Sequence, residues 1–155
     1  MLTYRQAKEK DSLLYFNWAN DSTVREQSYD SNSIDFINHV KWFNVKLNDK
    51  NCSMLIFYND QNLVVGQVRI EKNDSENAIL GISIDLAHRG KGYSSRMLKM
   101  ASINYLELNQ MVNIHAYIKE SNTASKKAFD KAGFQFQDMV NYLNNFSYHY
   151  TKRKA

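Results

Sequence analysis

The chain predicts a single mixed α/β domain, residues 1–155, and three observations carry that prediction. Apolar residues recur at three-to-four spacing in several segments and at alternate positions in others, so helices and strands are interleaved. Turn residues separate nearly every segment, and no long linker or internal repeat divides the chain. The length suits one ordinary domain, and 43% hydrophobic residues, with 8 Phe, 10 Tyr and 2 Trp, can build a sizeable core.

Leu2 to Gln6 reads as a first strand. Asp11-Ser12 is a helix N-cap signal, followed by an apolar face of Leu13, Leu14, Phe16 and Trp18. Asn20-Asp21-Ser22 ends that helix and caps a short one holding Val24 and Arg25. After a polar connection from Tyr29 to Ser33, Ser33 or Asp35 starts a helix with Phe36, Val40, Phe43 and Leu47 on one face.

The period then changes. Met54 to Tyr58, Leu63 to Glu71 and Ala78 to Leu86 are strands joined by Asn- and Asp-rich turns. A helix starts at Ser94, with Leu98, Ala101, Tyr105 and Leu108 on one face, and Val112 to Lys119 is an alternating strand. Thr123 to Ala132 is a helix closed by Gly133 as its C-cap, and Phe134 to Val140 and Phe146 to Thr151 are two closing strands. With no proline, the turns rely on Gly, Asn, Asp and Ser.

Composition excludes several classes. No apolar run approaches the roughly 20 residues that span a bilayer, and the charged start, Met1 to Arg5, lacks the apolar core of a signal peptide. Cys52 alone supports neither an internal disulfide framework nor a multi-cysteine metal site. These absences predict a cytoplasmic protein without a membrane partner. Much of the net charge of +4 sits in the tail Lys152-Arg153-Lys154, unlike the basic face of a nucleic-acid binder. The remaining surplus suits a phosphate-bearing small molecule.

The sharpest local feature is the strand Ile82-Ser83-Ile84-Asp85-Leu86 running through Ala87-His88 into Arg89-Gly90-Lys91-Gly92-Tyr93-Ser94, which opens a helix. That order aims several main-chain N–H groups and the positive end of a helix dipole at one spot, where pyrophosphate is the natural ligand. A Gly-x-Gly turn alone is a weak signal, and this one is neither the Walker pattern nor Gly-x-Gly-x-x-Gly. A second constellation follows the strand Ile114 to Lys119: Glu120-Ser121-Asn122, then a helix closing on Lys131-Ala132-Gly133-Phe134.

With both motifs in that order, the sequence resembles the GNAT superfamily of N-acyltransferases over essentially its whole length. The resemblance implies a mostly antiparallel central sheet flanked by helices, with splayed central strands. It also implies acetyl-CoA as co-substrate, with no metal. The splayed strand, here Ile84, Asp85 and Leu86, would bond the pantetheine arm through its backbone. Loop amides across Arg89, Gly90, Lys91, Gly92, Tyr93, Ser94 and Ser95 would bind the pyrophosphate. Asn122 and Ser125 would contact the CoA arm from the other side of a V-shaped opening, with Phe129 on the same helix. Two positions depart from the family pattern. Ser94 stands where Gly or Ala is usual, and Phe129 replaces the tyrosine that many members use to protonate the leaving thiolate.

The segments Trp18 to Arg25, His39 to Phe43 and Gly66 to Arg69 resemble the subgroup that acetylates nucleotide-linked amino sugars, above all the N-acetyltransferases of pseudaminic-acid biosynthesis. That implies a small-molecule amine acceptor, the 4-amino group of a UDP-linked 4-amino-4,6-dideoxy sugar. Arg25 and Arg69 could grip its phosphates or form structural salt bridges. His39 could take the ammonium proton or be packed; Trp42 could stack on a ring or anchor the core. Gln67 belongs to the same acceptor set. Tyr117, on one strand face with His115 and Lys119, is the substitute acid. Glu120 is a candidate base through water or a solvent-exposed carboxylate, and Ser83 could hold that water; Asp85 suits a base or a turn. Tyr142, Phe146, Tyr148 and Tyr150 read as structural, with the last three on one strand face. The rival readings are a protein N-terminal or lysine acetyltransferase and a non-catalytic CoA-binding sensory module. A homodimer is compatible with the sequence, which does not define the oligomeric state.

Overall fold

The computed structural model describes residues 1–155. Seven strands, β1 (Thr3–Gln6), β2 (Cys52–Tyr58), β3 (Val64–Lys72), β4 (Asn77–Ile84), β5 (Asn113–Lys119), β6 (Gln135–Tyr142) and β7 (Asn145–Lys152), form one sheet. Their order is β1-β2-β3-β4-β5-β7-β6. Five helices flank it: α1 (Ser12–Ala19), α2 (Ser22–Gln27), α3 (Phe36–Leu47), α4 (Tyr93–Leu108) and α5 (Thr123–Lys131). Every strand pair is antiparallel except β4 with β5, which needs the α4 crossover.

That parallel pair makes the architecture useful. β4 bonds β5 only from Asn77 to Ile79, against Asn113 to His115. Beyond Ile79 the first strand continues to Ile84 and the second to Lys119, each paired only on its outer side. The middle of the sheet therefore splays into a V.

One face of the sheet packs on α4 and α5. Met97, Leu98, Ala101 and Phe129 meet Val68, Ile70, Ile114, Ala116 and Tyr150 in the larger core. On the opposite face α1 and α3 bring Tyr15, Trp18 and Phe43 onto Met54 and Ile56 of β2. Those helices pack mainly on β2, and the same face near the splay stays open.

Helix starts follow the sequence where a short polar side chain caps the turn. Asp21 accepts from the Thr23 and Val24 N–H groups, Asp35 from Asn38, and Asn122 from Ser125. Asp11 departs from that expectation. Its carboxylate takes both Arg5 guanidinium nitrogens at 2.7 and 2.8 Å and the Lys8 N–H at 2.7 Å. Burial raises the Asp11 pKa, but these donors outweigh it and hold the carboxyl below the usual range. The apolar faces also shift: α1 buries Tyr15 and Trp18 while Leu13 is exposed, and Phe36 and Leu108 at opposite helix ends face outward. In β7, Tyr150 is buried and Tyr148 packs against the core on one face as alternation predicts, while Phe146 at the strand's start is exposed. Tyr142 instead lies on the open face.

Candidate active site

An open cleft of about 890 Å³ runs from the loop before α4, through the splay, to the exposed face of β3 and β4. Its two walls are made of different material.

The first wall is main chain. Gly90 and Gly92 have φ of +75° and +78°, a left-handed backbone that glycine adopts without strain. A Cβ at either position would meet nothing within 4 Å, so conformation rather than space requires the glycines. Gly92 is the N-cap of α4 and supplies no side-chain cap. The N–H groups from Gly90 to Ser95 have no acceptor within the protein. A cradle of bare N–H donors at a helix start, with open space beside the glycines, fits a pyrophosphate. Lys91 is exposed nearby, and Arg96 covers the Tyr93 ring at 5.1 Å.

Arg89 acts on the loop itself. Its Nε donates to the Ile84 carbonyl at 3.1 Å and its Nη2 to Asp21 at 2.8 Å. Burial lifts the Asp21 carboxyl, and the Arg89 guanidinium with the α2 N–H groups brings it below the usual range. The Trp18 indole donates to Asp85 at 2.8 Å, and the other Asp85 oxygen accepts from Ala87. The Asp85 N–H donates to Val65, so both its polar ends serve the turn. Two side-chain bonds thus tie the loop to α1 and α2.

The second wall is side chain. The Arg69 guanidinium lies 5.0 Å over the Trp42 ring. Arg69 takes part in none of the ion pairs. Gln67 donates to the Ser83 hydroxyl at 3.1 Å, and its own Oε1 is buried without a partner. Across the splay the Tyr117 ring lies flat between Tyr142, at 3.9 Å and 3°, and His149, at 4.7 Å and 6°. Burial, with Tyr142 and Asp138 nearby, raises the Tyr117 pKa. Tyr29 meets the Tyr142 ring edge-on, its hydroxyl 2.6 Å from that of Ser147.

Most of the sequence-nominated residues meet at the cleft: Arg25, His39, Trp42, Gln67, Arg69, Ser83, Ile84, Arg89, Gly90, Gly92, Tyr93, Ser94, Tyr117, Asn122, Ser125 and Phe129 line it. Their roles differ from a sequence reading in several cases. Arg25 forms neither the expected salt bridge nor an open phosphate grip. Its guanidinium donates to the carbonyls of Ala19 at 2.5 Å, Asp30 at 2.9 Å and Asn32 at 3.2 Å, and to Ser28 at 3.1 Å. It therefore folds the segment after α2. His39 is 3% exposed, packed on Phe16, Trp42 and Phe43, with its Nε2 3.2 Å from the Ser12 carbonyl. Burial pulls its pKa down, so the ring is neutral. Phe129 is 2% exposed and packs on Phe134, as a residue without the tyrosine hydroxyl should.

Asp85, Leu86, Lys91, Ser95 and Glu120 are not brought to the cleft lining. Leu86 is 70% exposed. Glu120 is exposed at the end of β5, its N–H bonded to Phe146, so the solvent-exposed alternative holds. His115 shares its strand face with Tyr117 and Lys119 as expected, its ring stacked 6.5 Å from that of Tyr117, but it lies outside the cleft lining. It sits where β4 and β5 are still paired, and it bonds His149 at 2.8 Å and Asn77 at 2.7 Å. Sequence reasoning missed Trp18, Tyr29 and Tyr142 as cleft residues. Trp18 carried a signal as the first residue of the segment that resembles the amino-sugar subgroup, and Tyr142 as part of an aromatic cluster; Tyr29 carried none.

The acetyltransferase (GNAT) domain model matches residues 1–135. The spermidine N-acetyltransferase of Vibrio cholerae, in complex with CoA and spermine, is similar at TM-score 0.86 and 16% identity, covering 97% of this chain and 94% of that one. The aminoglycoside acetyltransferase AAC(6')-Ib, in complex with coenzyme A and kanamycin, gives TM-score 0.82 at 16% identity, covering 99% and 95%. A dodecameric structure of the Vibrio cholerae spermidine enzyme gives 0.78 at 16% identity, covering 98% and 93%. Among curated proteins none matches the sequence. At these identities the structural likeness defines the fold.

Proposed function

The chain belongs to the GNAT acetyltransferase family, and from that premise we propose that it moves an acetyl group from acetyl-CoA to the primary amine of a nucleotide-linked amino sugar. The observation that carries the donor half is the cradle of N–H groups from Gly90 to Ser95, bare of protein acceptors and opening on the cleft. Asn122 and Ser125 face it across the splay, where the pantetheine arm passes in this reading.

The acceptor half rests on charge and flat surfaces. Arg69, Lys72 and Lys119 line that side against two carboxylates, Asp30 and Glu71, and Glu71 is already paired with Lys46. A polycation such as a polyamine meets repulsion there, whereas an acceptor carrying a diphosphate finds counter-charges. Trp42, Tyr117 and Tyr142 offer faces for a sugar or base ring.

Both substrates bind together in this scheme. The acceptor, bound as its ammonium, gives up one proton to water held by the Gln67–Ser83 pair. The free amine attacks the thioester carbonyl and loses a second proton to the same water as the amide forms. The new C–N bond forms as the C–S bond breaks, with main-chain donors of the splayed strand facing the developing oxyanion. The departing thiolate takes a proton from Tyr117, which is protonated at neutral pH because burial raises its pKa, and Tyr117 regains a proton from solvent water before the next turnover. Held to a fixed geometry, the two reactants need no acyl-enzyme.

Thiol release from acetyl-CoA, followed with nucleotide-linked amino sugars, polyamines and peptides as acceptors, tests this. Turnover should be fastest with a nucleotide-linked amino sugar. Turnover with spermidine or a peptide, and none with any nucleotide sugar, sinks the acceptor assignment.

A further inference from the structure

The protein has five glycines, and the fold accounts for four. Gly90, Gly92 and Gly133 have positive φ. Gly66 in β3 lies against the neighbouring strand, where a Cβ would stand 2.3 Å from the Ser83 carbonyl oxygen. Gly81 has neither reason. Its φ lies outside the left-handed region, and a Cβ there would meet nothing within 4 Å. It sits in the interior of β4, where glycine weakens a strand and often marks a place that another molecule approaches closely.

Its position gives that space a use. Gly81 is paired with Arg69, and Gln67 with Ser83, so these four share one sheet face by strand alternation. Leu80 and Ile82 point the other way, into the core against α4. The bare patch at Gly81 is part of the cleft floor, between Arg69 over Trp42 on one side and Tyr117 across the splay. We propose that the acceptor is a ring-bearing amine that lies against Gly81, and that the missing side chain sets how bulky an acceptor the cleft admits. This deepens the acceptor reading above and rests on it. The ring takes the room that a Cβ would fill, with Arg69 beside it for an anionic substituent.

The test compares Gly81→Ala and Gly81→Val with the wild type. The probes are the ring amine that the wild type acetylates fastest, propylamine as a small acceptor, CoA binding by calorimetry, and Tm. The valine variant should lose roughly 10- to 100-fold in kcat/KM for the ring amine, as overpacking a closed contact does, and alanine less. Propylamine turnover and CoA affinity should stay at wild-type values, and Tm should hold or rise, since a strand interior favours a β-branched residue. Unchanged ring-amine turnover in Gly81→Val overturns the proposal, as does a parallel fall in propylamine turnover or CoA affinity. So does a wild type that acetylates only unbranched amines. A wild type that acetylates ring amines but no nucleotide sugar sinks the nucleotide-sugar assignment alone and leaves the Gly81 comparison readable.

Discussion

The two walls of the cleft differ in what they are made of. The donor wall is backbone: a strand end, two left-handed glycines and the first turn of α4, all within one short stretch of chain. The acceptor wall is side chains drawn from α1, α3, β3, β5 and the tip between β6 and β7. Its longest hydrogen-bonded link, Tyr29 to Ser147, spans 118 residues of sequence. A backbone site depends on φ and on unpaired N–H groups, so few side chains are needed to specify it. A side-chain site depends on every element that places it. The contrast predicts that damage to each wall shows in a different kinetic constant.

The sharpest break is at Tyr117. Replacing it with Phe keeps the ring between Tyr142 and His149 and removes only the hydroxyl. Loss of a general acid typically costs 100-fold or more, so kcat should fall about 100-fold with the KM for acetyl-CoA unchanged. Burial raises the Tyr117 pKa above its ordinary 10.0, so the acid stays protonated at neutral pH and kcat should show no basic limb below pH 10. A kcat within threefold of wild type removes Tyr117 from the chemistry.

On the other wall, Gly92→Ala forces a side chain into the left-handed conformation, at about 1–2 kcal/mol. CoA affinity should fall roughly 10-fold, as 1.4 kcal/mol per tenfold requires. The acceptor KM, measured at saturating acetyl-CoA, should move little. Equal losses for both substrates would show that the walls are not separable.

How much of this was legible in the sequence follows the same division. The donor wall was readable because Arg89-Gly90-Lys91-Gly92 and Asn122 act where they stand, on the next few main-chain groups. Strand order and the splay followed from the family resemblance, and the caps at Asp21 and Asp35 from local chemistry. Arg25 was not readable in the same way: its partners are carbonyls at Ala19, Asp30 and Asn32, which become neighbours only when the segment after α2 folds back. Tyr29 lies in the connection that the sequence predicts, but its place in the cleft was not readable because the ring it meets, Tyr142, is in another element at the far end of the chain. Asp11 had the right type and place for a cap, and Arg5 in the preceding strand captured it.

A smaller effect should join the two walls. Asp21 caps α2 and pairs with Arg89 at 2.8 Å, so it belongs to the acceptor side and holds the donor loop. Asp21→Asn keeps much of the cap and weakens the ion pair, a half-exposed contact worth up to about 1 kcal/mol. CoA affinity should fall by no more than about fivefold. Arg89→Gln should give a similar loss, and the double variant no further one, because both changes break one contact. Additive losses would mean that Arg89 binds phosphate independently of Asp21.

The smallest effect concerns His39, and it separates packing from chemistry on the acceptor wall. Burial lowers its pKa from 6.5, and burial together with the His149 charge lowers that of His115. A histidine kept neutral in the fold but protonated in the unfolded chain favours unfolding as pH falls below its unfolded value. Its stability contribution is therefore complete above about pH 6.5 and declines as pH drops toward the folded pKa. The carboxylates with lowered values, Asp11, Asp21, Asp74 and Asp130, act at lower pH, through the range below their ordinary 3.8. Between those ranges, thermal unfolding of the wild type should show Tm falling as pH goes from 6.5 to 5. His39→Gln retains a donor for the Ser12 carbonyl and should flatten that slope in part, leaving the share of His115. If His39 is a packing residue, kcat at neutral pH stays within about threefold of wild type, far above the loss of at least about 100-fold typical when a general base is removed. A collapse of kcat with an unaltered Tm slope would instead make His39 the base that the Gln67–Ser83 water is proposed to replace.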